Sequence, residues 1–141
     1  MILLDTNVLS ELMRPVPSPA VERWLSRQPV AGTFIAAITE AELRHGLALL
    51  PDGQRQRALV AQAEAMLAQD FAGRILPFDS PAAAAYARIA AARRRARRPI
   101  SQADAQIAAI AACRGASVAT RDVAAFVDCG INVVDPWNEA A

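Results

Sequence analysis

Four carboxylates stand where apolar segments give way to polar turns. Asp5 closes the run Ile2-Leu3-Leu4, and Asp122 follows Ser117-Val118-Ala119-Thr120 after one intervening Arg. Glu42 and Asp104 each lie three residues after a hydroxyl residue, Thr39 or Ser101, that is placed to open a helix. All four offer oxygen donors, without a convergent His or Cys. Such a set favours a hard divalent ion, Mg²⁺ or Mn²⁺, over zinc or copper. Gathered at one sheet edge, the four would repel and raise one another's pKa unless a cation lay between them. A magnesium site of this type keeps several waters, which leaves room for phosphate oxygens and an attacking hydroxide.

Taken singly, each acid has a plainer explanation. Thr39-x-x-Glu42 and Ser101-x-x-Asp104 both match a capping box, in which the acid only satisfies a helix amino terminus. Asp5 and Asp122 suit turns closed by a local bond from side chain to backbone. The two accounts differ in geometry, because capping needs one helix whereas a shared ion needs all four acids in one place.

The elements that must position them can be read from periodicity. Ile2-Leu3-Leu4 is a short buried strand, and Val8, Leu9 and Leu12 then recur at helical spacing, so Asp5-Thr6-Asn7 turns strand into helix. Ser18-Pro19 opens a second helix with Val21, Trp24 and Leu25 inward, and residues 33–38 form the next strand. Thr39 is expected to cap a helix carrying Leu43, Leu47 and Leu50, and Pro51-Asp52-Gly53 turns into a long helix reaching about Gln69. Ile75-Leu76-Pro77-Phe78 is a short strand placed at a sheet edge by its Pro. Asp79-Ser80-Pro81 starts a helix that runs into Arg93-Arg94-Arg95-Ala96-Arg97-Arg98 and stops at Pro99. Ser101 opens the next, with Ile107, Ile110 and Ala111 inward and Gly115 closing it. Residues 117–120 form a fourth strand, a brief helix holds Phe126, and residues 131–134 form a fifth. Strands separated by helices require crossovers, so the expected fold is a three-layer α/β/α domain around a mainly parallel five-stranded sheet, one domain over residues 1–141.

Composition narrows the chemistry further. All fifteen basic residues are Arg, which excludes a Walker-type phosphate loop and a Schiff-base Lys. The net charge of +1 provides no strong overall field toward nucleic acid or membrane, so any attraction must be local. Cys113 and Cys129 lack metal-ligand spacing and read as buried thiols of a reducing cytosol. His45, the single His, has no partner for a triad or a metal pair and reads as a surface or packing residue. Without a signal peptide or a membrane span, the chain is expected in the cytoplasm.

Leu4-Asp5-Thr6-Asn7-Val8-Leu9-Ser10-Glu11-Leu12, Ile38-Thr39-Glu40-Ala41-Glu42-Leu43-Arg44-His45-Gly46, Ala103-Asp104 and Thr120-Arg121-Asp122 with Phe126 together resemble the PIN domain. Ile75-Leu76-Pro77-Phe78-Asp79 and Asp135-Pro136-Trp137-Asn138 bring the chain closer to VapC-type toxins, in their FitB-like branch. The resemblance spans nearly the whole sequence. It implies that Asp5, Glu42, Asp104 and Asp122 are catalytic carboxylates, that Asp5 and Asp104 are metal ligands, and that Thr6, Asn7 and Thr120 support them. The implied activity is Mg²⁺-dependent (or Mn²⁺-dependent) hydrolysis of RNA phosphodiesters. The implied partners are RNA, a cognate antitoxin and a second copy in a homodimer or higher toxin–antitoxin assembly, with DNA bound only through the antitoxin.

Two rivals make different demands. A noncatalytic module of the same fold would use the acids as caps and the Arg run to hold a partner. A haloacid dehalogenase-type phosphatase echoes Asp5-Thr6-Asn7, but Asn7 stands where that motif has its second Asp, and the phosphate-binding Lys is missing. The Arg run itself is either a solvated helix end or a phosphate-tracking patch beside the site.

Overall fold

The computed structural model of the chain describes residues 1–138. Its strands β1 (Ile2–Leu4), β2 (Thr33–Ala36), β3 (Ile75–Leu76), β4 (Ser117–Ala119) and β5 (Val133–Val134) form one sheet in the order β3-β2-β1-β4-β5, and every adjacent pair is parallel. Two helices precede each of β2, β3 and β4: α1 (Thr6–Leu12) and α2 (Pro19–Ser26), α3 (Ala37–Ala48) and α4 (Gln54–Ala65), α5 (Ser80–Arg95) and α6 (Gln102–Arg114). A 3₁₀ turn, Val123–Phe126, joins β4 to β5.

Successive side chains on a strand point to opposite faces, and two apolar clusters follow from that alternation. Leu3, Ala36 and Val118 meet Ala82, Ile89, Ile107 and Ile110 of α5 and α6 on one face. Leu4, Ile35 and Ala119 meet Val8, Leu9, Val21, Trp24, Leu43 and Leu67 on the other. The expected three layers are thus formed by α5 and α6, the sheet, and α1 to α4. Leu3 and Leu4 are 0% and 1% exposed, so each contributes about 1.5–3 kcal/mol by leaving water.

Several boundaries differ from the sequence reading. β2 ends at Ala36, its last residue paired with β3, and α3 starts at Ala37. Thr39 therefore lies inside the first turn of α3 instead of capping it; Ala36 is the N-cap, and the buried Thr39 hydroxyl has no hydrogen-bond partner among the described residues. β3 stops before Pro77 and lies at the sheet edge, as a residue without an N–H requires. β4 ends one residue before Thr120, and β5 is only two residues long. Beyond Ala65 the helix widens into a π-helical segment, Met66–Asp70.

Helix ends carry the expected chemistry. Ala82 N donates to Asp79 at the start of α5, and Asp104 N donates to Ser101 Oγ at the start of α6. At its far end α6 closes on Gly115 in the left-handed conformation (φ 65°), with Ala116 N donating to Ala111 O. α5 ends in the same double-bonded closure, with Arg97 N donating to Arg94 O at 3.0 Å and Arg98 N to Arg93 O at 2.9 Å. Here the left-handed residue is Arg97 (φ 59°), a conformation that costs a residue bearing a Cβ about 1–2 kcal/mol.

Candidate active site

The chain leaves β1 toward β2 on one side and reaches β4 on the other, so the sheet order reverses between β1 and β4. A crevice opens at the carboxyl ends of strands at such a switch point. Asp5 immediately follows β1, Thr120 immediately follows β4, and Asp5 N donates to Ala119 O at 2.9 Å to extend the ladder by one bond.

Side chains then tie the two strand ends together. Asp5 is 7% exposed; its Oδ1 accepts from Thr6 N at 2.8 Å and its Oδ2 from Thr120 Oγ1 at 2.8 Å. The Thr120 hydroxyl also accepts from Asn7 Nδ2 and from Asp122 N, both at 3.1 Å, so its hydrogen-bonding capacity is filled. Asn7 Oδ1 accepts from Arg121 N at 3.2 Å. From α1, Thr6 Oγ1 donates to Glu42 Oε1 of α3 at 2.9 Å. Glu42 is thus held across the crevice by another helix, and its capping box with Thr39 does not form. Asp104 sits in the first turn of α6 with Ser101 as its N-cap.

All four acids line one open cavity of about 580 Å³, together with Thr6, Asn7, Ser10, Glu11, Arg14, Arg121 and Trp137. Asp5 is buried, Asp104 half-buried, and Glu42 and Asp122 are exposed at the rim. Burial pushes the Asp5 carboxyl above the ordinary aspartate range; the bonds from Thr120 and Thr6 oppose this in part, while the charges of Asp104 and Glu42 add to it. Asp5 therefore lies in a field that an added cation would relieve. A second cavity of similar size, walled by Leu12, Met13, Leu25, Met66 and Phe71, contains none of the four acids.

The donors fit a hard divalent ion of low protein coordination. Among the described residues no three carboxylate, His or Cys side chains close on one point as an all-protein cage would. Mg²⁺ needs no such cage, because it is commonly held by one or two carboxylates and retains several waters.

Five further residues of the cavity, Ser10, Glu11, Arg14, Arg121 and Trp137, escaped the sequence reading as site residues. Glu11 is 6% exposed, accepts from Ser18 N at 2.8 Å and pairs with Arg14 at 3.3 Å, so it holds the segment after α1 against the helix. The Ser18 N–H, more than the Arg14 charge, keeps its carboxyl below the ordinary glutamate range. Asn7 and Glu11 are spaced four apart on α1, which puts them on one helical face and was legible in principle, and Arg14 follows just past the C-cap Met13. Arg121 lies over the Trp137 ring, 4.9 Å from its centre. No local signal pairs those two, which come from different turns. The His45 side chain is on the exposed surface, one of the two places expected, and both cysteines are free thiols, Cys129 buried as expected and Cys113 only half-buried.

A family model described as PIN domain matches residues 2–128. VapC ribonuclease Y4jK of Sinorhizobium fredii is 41% identical over 140 residues, which cover 99% of this chain and 100% of that protein. Toxin FitB of Neisseria gonorrhoeae is 44% identical over 139 residues, again 99% and 100% of the two chains. A solved structure, FitAB bound to an IR36 DNA fragment, superposes with a TM-score of 0.93 at 42% identity and covers 100% of this chain and 99% of its own.

Proposed function

Because the chain belongs to the PIN-domain family, we propose that it is a Mg²⁺-dependent endoribonuclease with Asp5, Glu42, Asp104 and Asp122 as its catalytic carboxylates. The observation that carries this reading is the shared cavity: acids from four separate segments of the chain border one opening around a buried, charge-burdened Asp5. Asp5 and Asp104 are the residues that would hold Mg²⁺ or Mn²⁺. The ion would supply positive charge against the scissile phosphate and against the charge that develops on the departing 3′ oxygen.

The chain's own groups have distinct tasks in this proposal. Asp5 is fixed in orientation by Thr6 N and Thr120 Oγ1. Glu42, steadied by Thr6, and Asp122, at the open rim, face water, and one of them takes the proton of the attacking water. Arg121, pre-set over Trp137, offers a planar fork to a phosphate oxygen at the cavity mouth. The noncatalytic alternative keeps Asp5, which caps α1 through Thr6 N, but not Glu42, whose carboxylate accepts from the Thr6 hydroxyl and from no helix-terminal N–H among the described residues.

The biological role follows the relatives. One is named a toxin, another a VapC ribonuclease, and a solved structure is that of FitAB bound to an IR36 DNA fragment. We infer that this chain is the toxin of a type II toxin–antitoxin pair. It would act in the cytoplasm as a homodimer within such an assembly, with the antitoxin supplying the DNA contacts. A net charge of +1 suits that division of labour, and no described helix is long and apolar enough to cross a membrane.

The decisive experiment is incubation of the purified protein with structured RNAs, with Mg²⁺ and with a chelator. Cleavage with Mg²⁺, lost on chelation and lost in Asp5→Asn, is expected. Equal cleavage by Asp5→Asn would overturn the assignment of the site, and no cleavage of any RNA would overturn the activity.

A further inference from the structure

We propose that the corner between α5 and α6 is a docking surface for the phosphate backbone of the RNA, with Arg94, Arg95 and Arg97 as its contacts. The proposal rests on the reading that the acidic cavity cleaves RNA. The cavity lining carries five acids against Arg14 and Arg121, so a positive patch beyond it adds attraction that the cavity itself lacks for a polyanion. The run Arg93-Arg94-Arg95-Ala96-Arg97-Arg98 is the densest positive charge in the sequence.

The structure divides that run by task. Arg93 is buried, 6% exposed, and donates from Nε to Arg98 O at 2.7 Å and from Nη1 to Ala125 O at 3.0 Å and Val127 O at 2.7 Å. Arg98 pairs with Asp128 at 2.6 Å. These two bind the end of α5 to the segment that follows Asp122. The remaining three, Arg94, Arg95 and Arg97, are exposed and have no side-chain partner among the described residues. A fixed base thus presents three free guanidinium forks, the group best matched to phosphate oxygens.

Arg97 gives the independent sign. The same helix closure occurs twice in this chain; α6 uses Gly115 at the left-handed position and α5 uses Arg97. Favourable charge at a helix carboxyl end accounts for Arg on the last turn but not for Arg at a position where Gly is least strained. Among the described residues the two non-glycine residues with positive φ are Arg97 and Asp128, and both belong to this corner. Strain kept at such a place points to use of the side chain. The chain keeps the corner within reach of the cavity. Arg98 is six residues before Asp104, a reach of at most about 20 Å, and the carbonyls that Arg93 holds belong to the stretch beginning at Asp122. A few nucleotides of single strand cover that distance.

The test measures binding of a fluorescent oligouridylate to the full chain in chelator, where cleavage is off, across a range of salt. Arg94→Gln/Arg95→Gln/Arg97→Gln is expected to bind at least ~10-fold more weakly and to flatten the plot of log affinity against log salt by about 2, since each single-strand phosphate contact contributes about 0.7 to the slope. Arg97→Gly alone should flatten it by about 0.7 while melting at the same or a higher temperature, which separates lost contact from lost fold. Arg23→Gln/Arg55→Gln/Arg57→Gln, with equal charge removed elsewhere, should leave the slope near wild type. The proposal is overturned by an unchanged slope in the corner variants, by an equal change in the control, or by no RNA binding in the wild type. A separate Mg²⁺ cleavage assay distinguishes the two readings. Cleavage with an unchanged slope rejects the corner and keeps the nuclease; an altered slope with no cleavage keeps the corner and rejects the nuclease.

Discussion

Thr120 Oγ1 donates to Asp5 Oδ2 at 2.8 Å and so joins residues 115 positions apart at the ends of two adjacent parallel strands. Because the same hydroxyl accepts from Asn7 and from the Asp122 backbone, it sets the spacing between the turn that carries Asp5 and the turn that carries Asp122. One small hydroxyl thus bonds two side chains and a backbone N–H across the two turns.

Thr120→Val keeps the shape but strands those partners. Leaving buried polar groups unpaired costs about 1–3 kcal/mol, so urea unfolding should show a loss of that size. Cleavage should fall by about 10-fold, the equivalent of ~1.4 kcal/mol, through misplacement of Asp5. Thr120→Ser should recover most of both; if Val matches wild type in rate, the hydroxyl does not position the acids.

Asp5→Asn should lower RNA cleavage by about 10²-fold or more, the scale seen when a group facing transition-state charge is lost. Circular dichroism should show an intact fold with an unchanged or raised melting temperature, because Asn places no charge in a buried position. Chelation of divalent metal should give the same loss in wild type, and Mg²⁺ or Mn²⁺ should restore it.

Glu11 makes stability depend on acid. Its carboxyl is held below the ordinary glutamate range, chiefly by Ser18 N–H, so folding favours the ionised form. The stabilisation is complete above the unfolded-state value of about 4.3 and is lost as pH falls through the lower folded-state value. Urea midpoints of wild type and Glu11→Gln should therefore differ most at neutral pH and converge in acid. A gap that widens on acidification would mean that the Ser18 contact favours the protonated form.

Neighbouring arginines should behave unlike each other. Arg93→Met removes a buried donor set from the carbonyls of Arg98, Ala125 and Val127, and should cost about 3 kcal/mol in denaturant unfolding. Arg94→Gln, at an exposed position, should stay within about 0.5 kcal/mol of wild type. Similar losses for the two would show that the run is uniform and that Arg93 is not an anchor.

Much of this protein was legible along the chain because its causes are local. Apolar runs bounded by Asp, Gly and Pro marked the strands, Pro77 marked an edge, Ser101 and Gly115 marked the ends of α6, and strand–helix alternation required parallel crossovers. That Asp5, Glu42, Asp104 and Asp122 offer a hard-ion donor set also follows from residue type alone. Tertiary structure decided what depends on distance between separate turns. It brought the four acids to one cavity, took Thr39 out of its expected cap, and gave Glu42 to Thr6. It also turned Arg93 inward while its neighbours stayed in water, buried Glu11 on Ser18, and laid Arg121 on Trp137. Periodicity reports which face of an element is apolar, but a polar side chain's partner is chosen by whatever the crossovers bring beside it, and that choice exists only once the sheet order is set.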